Sequence, residues 1–334
     1  PAGVVFSAAR RLARMGAGPV EWWHAMPDIP IPRTLVRTGI RALLGLLWCV
    51  TPIVAADDGA AALSARYQAL RPQLENNAFG VPIAVESAEE DGLKRGEVHG
   101  VLAHPFAALA PALRAPREWC QIALLHLNIK TCTHERRDGQ DWLTLYSGRK
   151  FYEPPEKAYA LRYRFHVVAA DAGYLAVTLT ADRGPLGTRD YRLMFEAIPL
   201  GQQTFVHFRY AYRPSLTSSL ATSGYLATLG SGKLGFTVTG RDGAGKPVHV
   251  SGVRGIVERN AMRYYLAIQA YLDTSEIPEI ERFERRLARW FDLTERYRAQ
   301  LHELERAEYL QYKQQELRQQ LERQRLLDAA APTP

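Results

Sequence analysis

The sequence predicts an α+β fold, an antiparallel sheet of short strands closed by a long helix near the C terminus. Two observations carry this. Between Asp141 and Gly240, runs of alternating apolar and polar residues are separated by short turns, which implies an antiparallel meander. Gly252 to Leu272, GVRGIVERNAMRYYLAIQAYL, then changes to helical spacing. Ile256, Val257, Met262, Tyr265, Leu266, Ile268 and Leu272 fall near one side, and Glu258, Arg259 and Arg263 fall elsewhere.

The chain has 334 residues, 47% of them hydrophobic, which is ample for a core. Its formal charge is +7, more than half of it in residues 1–56, and the mildly basic remainder is weak support for nucleic-acid binding, which calls for a clustered basic face. Nucleic acid is therefore not an expected partner. Met26 opens a leader pattern. Arg33, Arg37 and Arg41 precede the apolar run Ala42 to Val50, and Val54-Ala55-Ala56 offers small residues before a cut at Asp57. The expectation is a signal peptide over 26–56, with 1–25 upstream of the start, and a periplasmic or secreted mature chain. A membrane anchor and a lipid-attached Cys49 are the alternatives. The run is short for a span, and the bulky Trp48 disfavours lipid attachment. Outside the leader the cysteines are Cys120 and Cys132. In an oxidising compartment they favour a disulfide, which stabilises by about 3 kcal/mol. Metal and free thiols remain the other readings. His126 and His134 interleave with the cysteines, but at no zinc spacing.

In chain order, 57–80 is expected as a helix, with Leu63, Tyr67, Leu70 and Leu74 on one side. PIAVES (82–87) and EVHGVLA (97–103) are strands around a polar turn, EEDGLKRG. Pro105, Pro111 and Pro116 break the next apolar stretch into two short helices. Periodicity leaves Gln121 to Lys130 open between strand and helix. Strands follow over 142–147, 159–169, 174–181, 190–198 and 204–212, with a further one over Lys233 to Gly240. Ser215 to Gly232 is small and hydroxyl-rich, expected as a loop or loose helix that could gate a site. Residues 276–328 mix charges around Phe283, Leu287, Trp290, Tyr297, Leu301 and Leu304. They are expected as a solvated, coiled-coil-like helical extension beyond a domain of 81–275, with 329–334 a frayed tail.

No catalytic motif is present. G-x-S-x-G and H-E-x-x-H are absent. Gly230-Ser231-Gly232-Lys233 is not a phosphate loop, because Ala227 stands at the first glycine position and Leu234 follows the lysine. No cofactor is expected. What recurs is aromatic residues mixed with a few cations. Tyr163, Tyr210, Tyr225 and Tyr264, with Lys130, Arg213, Lys233, Arg259 and Arg263, are the candidate ligand-binding residues of an apolar cavity with polar anchors.

The element order, with VHGVLAHPFAALAPAL for the first strand and helices and the 252–272 segment for the last helix, resembles the helix-grip fold. That is the architecture of the START lipid-transfer domains and their bacterial polyketide-cyclase relatives. The resemblance spans roughly residues 82–273. It implies a sheet curled around the long helix, enclosing a cavity for lipid, sterol or polyketide. The function expected first is an exported protein that binds or transfers an apolar, lipid-like ligand. An envelope scaffold using 276–328 for self-association or a protein partner is the second reading, with a membrane surface as a further partner. An enzyme on the same fold is the third and would need a titratable group inside the cavity, such as His166 or His207.

Overall fold

The computed structural model describes residues 56–227 and 232–330. The leader expected over 26–56 lies outside them except for Ala56, the first residue of helix α1 (Ala56–Glu75). Among the described residues, no helix is long and apolar enough to cross a membrane.

The expected α+β architecture is the one observed. An eight-stranded sheet has the order β1-β2-β8-β7-β6-β5-β4-β3, with every pairing antiparallel. Its strands are β1 (Ile83–Glu90), β2 (Leu93–Leu102), β3 (Ile129–Arg137), β4 (Gln140–Ser147), β5 (Tyr159–Ala170), β6 (Leu175–Arg183), β7 (Arg189–Leu200) and β8 (Gln203–Arg213). Two short helices, α2 (Phe106–Leu113) and α3 (Pro116–Ala123), stand between β2 and β3, as the prolines require. The stretch 121–130, ambiguous in sequence, divides into the end of α3 and the start of β3. The polar turn between β1 and β2 is tighter than expected. Asp91 and Gly92, at φ 49° and 75°, form a two-residue hairpin turn, so both strands run on into the polar segment.

The expected strand over 233–240 does not join the sheet. Only Val238–Arg241 is extended there (β9), and it pairs with β10 (Pro247–His249) in a separate two-stranded ribbon. Within the stretch expected as a loop or loose helix, Leu216–Ala227 is a helix, α4.

Helix α5 (Gly252–Asp273) lies against the inner face of β1, β2 and β8. Glycines of β2 permit the close approach. A Cβ on Gly96 would stand 2.4 Å from the Val257 carbonyl oxygen, and one on Gly100 would stand 2.3 Å from the Tyr265 hydroxyl. Met262, Tyr265 and Leu266 are buried in the main core, as the apolar stripe demands. The wheel's polar side is buried too, because α5 is covered from behind. Glu258 accepts from Ser87 Oγ, Phe236 N, Thr237 N and Thr237 Oγ1 at 2.6, 2.6, 3.0 and 2.7 Å, pinning the segment before β9. Trp290 Nε1 of α6 (Glu279–Glu295) donates to the Arg263 carbonyl at 3.1 Å.

The segment 276–328, expected to be solvated and separate, is packed into the same compact unit as the sheet. After α6 and the short α7 (Arg298–Leu301), helix α8 (Arg306–Ala330) lies along β3. Its inward stripe is polar, which is why an apolar-seam reading missed it. Lys313 donates to the carbonyls of His126 (2.7 Å) and Ile129 (2.8 Å), and Tyr309 Oη to that of Leu125 (3.0 Å). Glu316 is fully buried between Lys313 (2.7 Å) and Lys130 (2.9 Å). On the outer face of the sheet, α1 packs Leu63, Leu70 and Leu74 over Ala84, Tyr174, Ala176, Ile198 and Phe205.

Candidate functional site

Alternation along β5, β7 and β8 sends Tyr163, Tyr191, Tyr210 and Tyr212 to the inner face, where α5 adds Tyr264. The rings touch in a chain. Tyr163 meets Tyr191 edge-on at 6.3 Å, Tyr191 stacks on Tyr212 at 5.4 Å, and Tyr210 stacks with Tyr264 at 6.2 Å. These rings line the inner face on the side toward α5. Burial pushes the phenols of Tyr163, Tyr210 and Tyr264 far above their ordinary range, and neighbouring tyrosines add to it. The Tyr191 hydroxyl donates to Thr188 Oγ1 at 2.9 Å. Among the described residues, no such partner reaches the hydroxyls of Tyr163, Tyr210 or Tyr264. Helix α4 is tied beside this cluster by Ser215 Oγ, which donates to the Leu186 carbonyl. It leaves Leu216 87% and Leu220 76% exposed.

At Tyr264 the ring cluster meets a group of charges. His126 stacks on Tyr264 at 4.7 Å. Asn128 N donates to His126 Nδ1 at 3.2 Å, so the proton of the neutral ring sits on Nε2, which is buried with no hydrogen-bond partner. Burial first, then Arg263, Lys313, Lys150 and Lys130, hold this histidine well below its ordinary pKa. One residue earlier on α5, Arg263 Nη2 lies 2.9 Å from Glu303 Oε1. Lys150 Nζ reaches the same oxygen at 2.7 Å, and Lys233 Nζ reaches Oε2 at 3.3 Å. Burial works to raise the Glu303 pKa, but Arg263, Lys150 and Lys233 together hold it below the usual carboxylate range. Burial pulls Lys150 down; Glu303 opposes this, and Arg263 and Arg259 reinforce it. Arg259 Nη1 donates to the Leu234 carbonyl at 2.9 Å.

The sequence-derived candidates therefore separate. Tyr163, Tyr210, Tyr264, Lys233, Arg259 and Arg263 gather along one side of α5. Lys130 is not among them. It is a buried structural cation bonded to Leu127 O (3.0 Å), Phe151 O (3.0 Å) and Glu316. Arg213, the last residue of β8, braces the β1–β2 turn instead, donating to Asp91 O and pairing with Asp190 at 3.1 Å. The side chain of Tyr225 lies outside the described residues. Lys150, Glu303 and His126 were missed, and no local sequence pattern marks them, because they meet only through the fold. Cys120 and Cys132 form the expected disulfide.

Neither histidine named for an enzymatic reading faces the inner side. His166 is exposed on β5. His207 lies on the outer face, with Nε2 2.5 Å from Glu97 Oε2 and Nδ1 3.0 Å from Glu196 Oε2. Burial alone would lower its pKa, but the bonds to Glu196 and Glu97 raise it. Burial likewise works to raise Glu97, yet His207 and Arg209 bring it down to about 2. Beside them His99 stacks on His207 at 4.2 Å, and its pKa is lowered by burial, then by His207 and Arg66, to about 3. Glu97, His99 and His207 place ligand atoms within 4.8 Å of one another, a spacing a metal ion could use. Arg95 (2.8 Å) and Arg209 (3.1 Å) already pair with both oxygens of Glu97, so a divalent cation would add charge to a group already balanced.

A separate cavity of about 190 Å³ opens beside the other flank of α5, lined by Ile83, Val101, Tyr265, Gln269, Leu293 and Tyr297 among others. It is smaller than the ~300–1,000 Å³ typical of small-molecule sites.

The sequence matches no protein-family model and no curated protein. Among solved structures, the chain is similar to the protein TTHA0849 from Thermus thermophilus, at 8% identity and a TM-score of 0.36 over 55% of this chain and 99% of that one. It is also similar to the ZhuI aromatase/cyclase from Streptomyces sp. R1128, at 14% identity and 0.29 over 41% and 84%. Norcoclaurine synthase from Thalictrum flavum gives 14% identity and 0.29 over 43% and 81%. At these scores the likenesses carry no functional argument. The helix-grip arrangement rests on the strand order and on α5 itself.

Proposed function

We propose that the protein is exported and binds or transfers an apolar, lipid-like small molecule between the inner face of the sheet and α5. The leader pattern before Asp57 supports export, and the Cys120–Cys132 disulfide suits an oxidising compartment. The observation that carries the binding reading is the tyrosine cluster. The hydroxyls of Tyr163, Tyr210 and Tyr264 gather here on an otherwise apolar face, with no hydrogen-bond partner among the described residues. A ligand with an apolar body and acceptor oxygens would take hydrogen bonds from them while replacing ring-to-ring contact with its own. Helix α4, whose start is tied by Ser215 Oγ to the Leu186 carbonyl in the β6–β7 connection, is the cover that moves to admit it.

The test is titration of the intact, disulfide-bonded protein with the neutral fluorophore N-phenyl-1-naphthylamine. Saturable one-to-one binding, weakened by Tyr163→Trp, is expected. A linear, unsaturable signal would refute the binding reading.

A further inference from the structure

We infer that Lys150, Lys233 and Arg263 form the subsite for a carboxylate head on the ligand, and that Glu303 is a tethered carboxylate occupying it until the ligand arrives. This rests on the ligand-binding reading above.

Three cations from three separate parts of the chain converge on one carboxylate. Lys150 comes from the β4–β5 connection, Lys233 from the segment before β9, and Arg263 from the middle of α5. Glu303 reaches them from the short connector between α7 and α8, where Lys233 also donates to the His302 carbonyl at 2.9 Å and Arg263 to the Leu301 carbonyl at 3.3 Å. Its two oxygens are used separately. Oε1 takes Arg263 and Lys150, and Oε2 takes Lys233. The geometry already fits a planar, two-oxygen, singly charged group, which is why a carboxylate is preferred over a phosphate. Next to Arg263, Tyr264 continues into the ring cluster and stacks on His126, whose buried Nε2–H is a further donor without a partner. A charged head at Arg263 and an apolar body along Tyr264 and Tyr210 follow from adjacent positions on one helix. The occupant is thus an amphiphilic monocarboxylic acid, and the connector bearing Glu303 competes with it.

The experiment is isothermal titration of the full chain with dodecanol, dodecanoate and dodecyl phosphate below their micellar concentrations. Wild type is expected to bind dodecanoate at least about tenfold more tightly than dodecanol. Glu303→Gln is expected to tighten dodecanoate by about tenfold and to leave dodecanol unchanged. Lys150→Met, whose fold is checked by its melt, is expected to erase most of the head preference. If Glu303→Gln does not fold, Lys150→Met decides alone. Equal binding of dodecanol and dodecanoate would overturn the subsite while leaving the ligand-binding reading intact. A preference for dodecyl phosphate, or no tightening in folded Glu303→Gln, would also overturn it. Binding of none of the three would overturn both readings.

Discussion

Gln320 Oε1 accepts a hydrogen bond from the backbone N–H of Cys132 at 2.8 Å, so a side chain of the last helix closes the outermost strand of the sheet. Gln324 repeats the contact one turn on, accepting from His134 N and donating to His134 O, both at 2.9 Å. Edge strands present unmet donors and acceptors to other chains. Here α8 covers β3 with amides at helical spacing. The C-terminal helix is thereby a structural cover of the sheet.

Removing α8 from Arg306 onward is expected to uncover β3 and the Lys130 pocket together. The shortened chain should elute as aggregates in size-exclusion chromatography and lose its cooperative melt. A monomeric, cooperatively melting product would show that α8 is dispensable.

Glu316→Gln is expected to destabilise by about 3–5 kcal/mol, because it leaves Lys130 and Lys313 buried without their shared carboxylate. Burial has already brought Lys313 down to about 8, against the pull of Glu316. Urea denaturation near neutral pH measures the loss, and a midpoint unchanged from wild type would remove the pair from the list of core contacts.

His207 makes stability depend on pH. Its folded pKa is raised above the unfolded value, so its contribution is full below about pH 6.5 and is lost as pH rises through the folded value. Glu97 works at the other end, contributing above its unfolded value and losing this as pH falls towards about 2. The difference in unfolding free energy between wild type and His207→Gln is expected to be about 3–5 kcal/mol near pH 5.5 and to shrink on the alkaline side. A difference that stays flat across that range would mean His207 does not carry the charge.

Leu266→Ala is expected to cost about 2–5 kcal/mol, since the side chain is buried in the main core beneath α5. Thermal or urea melts report it directly. An unchanged midpoint would displace α5 from the centre of the packing.

Much of the fold was legible in sequence because one face of each element is apolar. The alternation from Tyr159 onward, the proline-broken helices and the apolar stripe of Met262, Tyr265 and Leu266 all read correctly. What escaped was burial achieved through polar groups. Glu258, Arg263, Lys313 and Glu316 look like solvated positions in sequence, yet each is buried against partners far along the chain. The Lys233–Gly240 run alternates like a strand, but Glu258 takes the Phe236 and Thr237 amides and draws the segment onto α5. At the candidate site, the tyrosines were visible from alternation. Lys150, Glu303 and His126 were not, because their proximity is created only by the packing of α5, α7 and α8.

Native mass spectrometry of the intact protein, purified from the envelope of its host without detergent, tests the ligand-binding reading most directly. The expected spectrum shows a mature chain beginning at Asp57 that carries one small apolar molecule, released on collisional activation. A spectrum containing only the bare chain mass, from protein that also fails to take up dodecanoate, would contradict it.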